Sequence, residues 1–564
     1  MTKSIEKLDR ENFPGIAQDI DRALAEVGRR HGVSIIAKLW RVNESVAEAT
    51  ISVDVLPPDQ SAAVLTRATE LCELGRPREA EQLLRGTVNL GTGDPGQLAA
   101  FELRLGIALR LQGRNDEALA LFDTAQARAP DLTGVDFARS EALQQSGRIE
   151  EAVQSLHREL AREPDHVASL VSLAMIYVER GDFAAASESG AAALARDPDN
   201  PFALIALAIA DIEGRRFTAA REKLEQTISN PAFVDDEGVA FAISFAADAY
   251  DRRREITDAF ALYRASKARL RAIHTAQFGR ARITKDVEYC IRYFRNSPHW
   301  SASGDMPATA EEPHRHVFLL GYTRSGTTLL ESILAMSPEV VHADEVDFLS
   351  EAGRGIDVQS EAGLESLATL KGSEIIKRRE AYWQAVRGAG FRIAGKVFID
   401  KMPFNSLRLA LICRLFPSAR IIFAVRDPRD VVLGCFRRRF NISRTTFEFC
   451  DLDDCARFYA SVMTLVELAR EKLPLDVYEH RHEHMVADFE PHVRAACEFI
   501  GIGWREDMRD FHHVVRDVTA QSAAQVRRGL YGEGIGQWRR YRDELAPILP
   551  LLASWIARFG YAAD

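Results

Sequence analysis

Between residues 61 and about 270 the apolar positions recur at helical spacing, and they also keep a longer register. A Gly followed by a small-residue helix returns as Gly113-Arg-Asn-Asp-Glu-Ala, Gly147-Arg-Ile-Glu-Glu-Ala and Gly181-Asp-Phe-Ala-Ala-Ala, 34 residues apart each time. Pro130, Pro164 and Pro198 keep the same step, each ending a second helix and opening the next unit. Phe183 and Phe217 carry the array into a degenerate unit around Gly214, and Gly75-Arg-Pro-Arg-Glu-Ala begins it at an irregular spacing. The pattern predicts about five or six helix pairs, in which small Ala and Gly positions allow close approach and each pair buries its apolar face on its neighbours.

Elsewhere the pattern changes. Residues 1–60 predict one amphipathic helix, with Ile16, Ile20, Ala23, Leu24 and Val27 on one side, before a break at Val55-Leu-Pro-Pro58. Residues 251–296 read as helices that close the array over 61–296, and 297–314 have linker composition. From 315 to 564, short apolar runs at 317–320, 393–399, 421–425 and 475–478 alternate with helical stretches. That alternation predicts an α/β domain with a mainly parallel sheet covered on both faces. Ligands of such sheets gather at the carboxyl ends of the strands, where Arg324, Lys401 and Arg426 fall.

At 564 residues, 46% hydrophobic and 27% charged, the chain is an ordinary globular one of several domains. The first thirty residues carry acidic groups and no apolar block, so neither a signal peptide nor a membrane anchor is read there. Seven cysteines, odd in number and without paired CxxC spacing, read as reduced thiols of a cytoplasmic protein, not as a disulfide frame or a zinc site. The net charge of −10 argues against a nucleic-acid partner. It is uneven: residues 61–250 hold 18 Lys and Arg against 30 Asp and Glu, a net of −12, and residues 251–296 hold 12 against 5, a net of +7. An acidic first half would suit a basic partner; solvated helix faces explain it equally simply.

The chemistry concentrates in Gly321-Tyr-Thr-Arg324-Ser325-Gly326-Thr327-Thr328, which follows an apolar strand and opens a helix. Such a turn aims backbone N–H groups and a helix N-terminus at one point, a site for a phosphate-like anion. The spacing is that of a P-loop, but Thr327 stands where that pattern demands Lys, so a kinase or NTPase is disfavoured. Arg324-Ser-Gly-Thr-Thr-Leu resembles the 5′-phosphosulfate loop of sulfotransferases that use 3′-phosphoadenosine 5′-phosphosulfate (PAPS), most closely that of protein-tyrosine sulfotransferases. The 34-residue array resembles a tetratricopeptide (TPR) solenoid.

The resemblance implies roles residue by residue. Glu345, the second member of an acidic pair 21 residues after Arg324, would be the general base, with His342 the substitute candidate. Arg324 would stabilise the charged oxygens, and Lys401, in Ile399-Asp-Lys-Met-Pro-Phe404, would contact the sulfuryl group. Ser325, Gly326, Thr327 and Thr328 would hold the 5′ end. Arg426 would hold the 3′-phosphate, where the family also has a Ser eight positions later; here that position is Gly434. Ser522, set by matching Gln525-Val526, would assist the transition state, and Arg527-Arg528-Gly529 would close over the 3′-phosphate. The alternating His480, His482 and His484 are read as residues on one strand face that do not hold a metal.

The sequence therefore predicts a TPR α-solenoid followed by a P-loop-like α/β sulfotransferase domain. It would move a sulfuryl group from PAPS to a hydroxyl and release adenosine 3′,5′-bisphosphate without a metal. A peptide tyrosine is the first acceptor read, a saccharide or small-molecule hydroxyl the second. The TPR groove would hold the acceptor or a protein partner, and a homodimer stays open. The alternative is a TPR scaffold whose nucleotide domain is degenerate.

Overall fold

A computed structural model describes residues 35–42, 46–53, 61–88, 94–234, 236–301, 311–513 and 534–563. The chain forms two compact units, Met1–Thr227 and Ile228–Asp564. The helix expected over residues 16–27 lies outside the described residues. The described part of the first sixty is not helical: β1 (Ile35–Val42) and β2 (Val46–Val53) form an antiparallel hairpin. Its β-branched residues favour extended backbone, a signal that the helical reading of 1–60 passed over.

The first unit continues as helix pairs α1 (Ser61–Glu73) and α2 (Pro77–Val88), α3 (Pro95–Arg110) and α4 (Asn115–Arg128), α5 (Val135–Gln145) and α6 (Ile149–Arg162), α7 (Val167–Arg180) and α8 (Phe183–Leu194). A fifth pair, α9 (Pro201–Glu213) and α10 (Phe217–Ser229), completes the series. The 34-residue step has a packing cause. Ala118, Ala152, Ala186 and Ala220 sit at equivalent places on successive second helices and are fully buried. In the α3–α4 pair the approach is so close that a methyl group on Gly106 would lie 2.5 Å from the Phe122 ring. The turns keep the step through left-handed residues, Gly113 (φ 79°), Gly147 (φ 72°) and Gly181 (φ 77°). In the fifth pair that residue is Arg215 (φ 61°), one position beyond the Gly214 marked in the sequence. Arg215 N–H donates to Ile212 O at 3.0 Å and Arg216 N–H to Asp211 O at 2.8 Å, the same closure as in the Gly turns.

The helices α11 (Glu237–Arg252), α12 (Ile256–Phe278) and α13 (Ile283–Asn296), read from the sequence as the end of the array, pack within the second unit. Buried polar groups fix them there. The Lys267 ammonium donates to Arg438 O at 2.7 Å, Arg437 pairs with Asp251 at 2.7 Å, and Arg282 pairs with the fully buried Glu448. Lys267 and Arg282 thus spend their charge on a carbonyl and a carboxylate of the α/β part.

That part holds a five-stranded parallel sheet, order β4-β5-β3-β6-β7, built from β3 (Arg315–Gly321), β4 (Val340–Asp344), β5 (Val397–Lys401), β6 (Arg420–Val425) and β7 (Asp476–Arg481). β3 is central and its residues 317–320 are fully buried. One face packs Val317, Leu319, Ile399 and Ile422 against Leu330, Ile333 and Leu334 of α14 (Thr327–Leu334). The other packs Phe318 and Phe398 against an aromatic cluster of His316, Tyr382, Trp383 and Phe416. Among the described residues no helix is long and apolar enough to cross a membrane.

Candidate active site

The turn from β3 into α14 is held from behind so that its N–H groups face one point. Ser406 Oγ donates to Gly321 O at 3.2 Å, and an Arg426 guanidinium N–H donates to Arg324 O at 3.2 Å. The buried Cys435 thiol lies 3.6 Å from Thr323 O. Arg324 (φ 71°) and Gly326 (φ 92°) both take left-handed backbone, which curls the peptide units around the site. Gly326, the N-cap of α14, has no side chain to close the helix N-terminus, an end whose N–H groups suit an anion. Only glycine fits there, because a Cβ would also stand 2.4 Å from Nδ1 of His482. Ser325, Thr327 and Thr328 are buried in the turn.

The next strand end supplies cations. Arg426, just past β6, donates to Gly534 O as well as to Arg324 O, and its Nε is buried without a hydrogen-bond partner. Gly434 lies on α15 (Pro428–Arg437), where an added Cβ would rest 3.5 Å from Cβ of Arg324, an ordinary contact. Asp427 caps α15 and pins the buried Arg429, whose guanidinium stacks on Trp538 at 3.7 Å. Asp430, one turn on, accepts from Gly536 N at 2.6 Å and Trp538 N at 2.9 Å. Trp538 thus has a definite seat on α15, over Arg429 and against Asp430.

On the other side of the loop, Lys401 ends β5 with its side chain wholly buried. Its ammonium contacts Asp344, Glu345 Oε1 at 3.0 Å and Glu331 Oε2 at 3.5 Å. Burial works against its charge, but Glu331, Glu345 and Asp344 together outweigh it, and its pKa is raised. Glu345 takes a left-handed conformation (φ 56°), its N–H donates to Lys401 O at 2.8 Å, and its side chain is 47% exposed. His342 is partly exposed, with Nδ1 2.9 Å from Oε1 of Glu331.

The structure therefore brings Arg324, Ser325, Gly326, Thr327, Thr328, Glu345, Lys401, Arg426 and Gly434 to the carboxyl ends of adjoining strands. Ser522, Arg527, Arg528 and Gly529 lie outside the described residues. The His480, His482 and His484 series is not a strand face: β7 stops at Arg481, and His482 opens the helix His482–Ala487. His482 turns instead toward the anion loop. Burial, then Arg426, His480 and Arg324, hold its pKa well below the ordinary value, so it stands neutral there with Nδ1 buried and unpartnered.

Sequence reasoning passed over Glu331, the buried acid that joins His342 to Lys401. Its signal was a carboxylate set among the apolar residues Leu329, Leu330, Ile333 and Leu334. Asp400 was passed over as well. It is fully buried beside Lys401 and accepts from Tyr382 OH at 2.7 Å, and Tyr382 OH lies 2.9 Å from Nε2 of His316. Burial pushes the Asp400 carboxyl up to about 7 against the opposing Tyr382 hydrogen bond.

The site is thus a parallel sheet with a glycine-containing turn at its central strand, arginines at one side and a buried Lys–carboxylate cluster at the other. In comparison with known proteins, residues 316–506 match the sulfotransferase family model, and residues 65–132 and 137–201 match the tetratricopeptide repeat. The chain thus joins tetratricopeptide repeats to a sulfotransferase domain. It is 28% identical over 244 residues to an uncharacterized protein of Aquifex aeolicus, a match covering 42% of this chain and 32% of that protein's length. To protein-tyrosine sulfotransferase 2 of Gallus gallus it is 25% identical over 267 residues, covering 43% of this chain and 69% of the relative. Among solved structures, the sulfotransferase domain of the Synechococcus PCC 7002 olefin synthase is similar at 20% identity and a TM-score of 0.31, covering 43% of this chain and 90% of that one.

Asp400 sets a pH dependence. Its folded pKa of about 7 lies above the 3.8 of a free aspartate, so the unfolded chain ionises first and stability from this group falls as pH rises from about 4 to about 7. Asp400→Asn is expected to flatten that fall. Urea midpoints of both proteins at pH 5, 6 and 7 check it; parallel curves would contradict it.

Proposed function

We propose that the chain transfers a sulfuryl group from PAPS to an acceptor hydroxyl, with a peptide tyrosine the first acceptor and a saccharide or small-molecule hydroxyl the second. The observation that carries this reading is the placement of Arg324, Lys401 and Glu345 around one anion loop. The residues present suit the donor. The open α14 N-terminus and the Ser325, Thr327 and Thr328 turn offer N–H and hydroxyl donors to its 5′ end, and Arg426 offers a guanidinium with an unused Nε to its 3′-phosphate.

In this reading Glu345 takes the acceptor proton as the acceptor oxygen bonds to sulfur. The bond from sulfur to the 5′-phosphate oxygen breaks, and adenosine 3′,5′-bisphosphate leaves. Lys401 and Arg324 stabilise charge on the oxygens in flight. Glu345 is favoured over His342 as base because half of its side chain is open to an acceptor, whereas His342 has Nδ1 committed to Glu331. Lys401 comes from β5 and not from the loop, where buried Thr327 occupies the position a nucleoside triphosphatase gives to Lys. The seven unpaired cysteines support a cytoplasmic location. The repeats would hold the acceptor or a partner.

A second reading, a scaffold whose nucleotide domain only binds, rests on Gly434, which offers no hydroxyl toward a 3′-phosphate. Gly434→Ser is expected to fold normally, since the added Cβ makes only ordinary contact with Arg324, and to bind adenosine 3′,5′-bisphosphate about tenfold more tightly by one charge-assisted hydrogen bond. Calorimetry measures this; unchanged affinity would mean that Gly434 does not face the phosphate. For the reaction itself, incubation with sulfur-labelled PAPS and tyrosine peptides, saccharides and phenols is expected to give a labelled acceptor. Glu345→Ala should lower turnover roughly 10²–10⁴-fold, the usual range for a lost general base. Unchanged turnover in that variant would remove Glu345 from the mechanism.

A further inference from the structure

Glu331 has no role in the reading above, yet it is among the most buried acids of the domain, 2% exposed on the helix that the anion loop opens. Its two oxygens are divided: Oε1 lies 2.9 Å from His342 Nδ1 and Oε2 lies 3.5 Å from the Lys401 ammonium. The other two carboxylates on that ammonium, Asp344 and Glu345, come from the end of β4. Lys401 is thus tied on one side to the acid-bearing edge of the sheet and on the other to the loop's own helix.

We infer that Glu331 is a positioning residue for the transfer: it holds the Lys401 ammonium at the anion loop while Glu345 takes up the acceptor proton. This rests on the sulfotransferase reading and adds to it. Once Glu345 is protonated it no longer pairs with an ammonium, and a fully buried cation cannot be left without partners. Asp344 alone would draw Lys401 toward β4 and away from the loop. Glu331 supplies the opposing attraction, and His342 on its second oxygen fixes the plane of its carboxyl. The buried acid within an apolar helix face is then accounted for, since it is placed where the Lys401 ammonium and the His342 ring, from neighbouring strands, converge on α14.

The test uses the full chain with Glu331→Gln, which keeps the side-chain shape and removes the charge, and Glu331→Asp, which keeps the charge. With PAPS and the best acceptor, Glu331→Gln is expected to lower kcat about 10–100-fold with less than a threefold change in donor KM, and Glu331→Asp to recover part of it. The alkaline limb of the kcat profile, where Lys401 loses its proton, should move to lower pH because the foremost charge raising that pKa is gone. A readout independent of turnover is the Nζ titration of Lys401 in ¹⁵N-lysine protein, assigned with Lys401→Arg, which should shift the same way. An unmoved Nζ titration, or a loss of kcat that only parallels a loss of thermal stability, would overturn the inference. Absence of transfer by the unaltered protein, with the Nζ titration still shifted in Glu331→Gln, would instead overturn the sulfotransferase reading and leave Glu331 as the holder of Lys401.

Discussion

A buried ammonium governs the arrangement of this domain. Lys401 is wholly enclosed at the end of a central strand, where an unpaired charge is untenable, so carboxylates must converge on it from whatever elements surround it. Asp344 and Glu345 come from the edge strand and Glu331 from the loop helix. The end of β4, the left-handed turn at Glu345 and the loop helix α14 thus meet at one ammonium. The anion loop is then bounded by a cation with limited freedom, which is the condition for electrostatic stabilisation without reorganisation.

The opposite side of the loop is built on the same principle with arginines. Arg426 bonds the backbone carbonyls of Arg324 and Gly534, while Asp430, together with Arg429 held by Asp427, ties the segment from Gly536 to Trp538 to α15. Two chain regions more than a hundred residues apart are therefore joined beside the loop. His482 completes this wall, a neutral ring packed against Gly326.

The repeats and the anion loop were legible in the sequence because each has a strict spacing enforced by packing or by backbone geometry. The 34-residue step follows from fully buried alanines, and the loop from a strand, a turn of small residues and a helix. What escaped was set by long-range partners. β4 is a five-residue edge strand carrying His342 and Asp344, so its composition resembles a helix start; in the turn that follows, Asp347 accepts from Ser350 N at 3.1 Å. Helices α11 to α13 look like a continuation of the array, since periodicity records that a face is buried and not against what. Glu331 looked like an ordinary helix residue because its meaning lies in Lys401, seventy positions later.

The account's central claim is that this loop holds an adenosine 3′,5′-bisphosphate nucleotide and not a nucleoside triphosphate. Thermal unfolding of the full chain with adenosine 3′,5′-bisphosphate and, separately, with ATP tests it most directly. The account predicts a concentration-dependent rise in melting temperature with the bisphosphate, lost in Arg426→Ala, and a much smaller one with ATP. Stabilisation by ATP alone would contradict it.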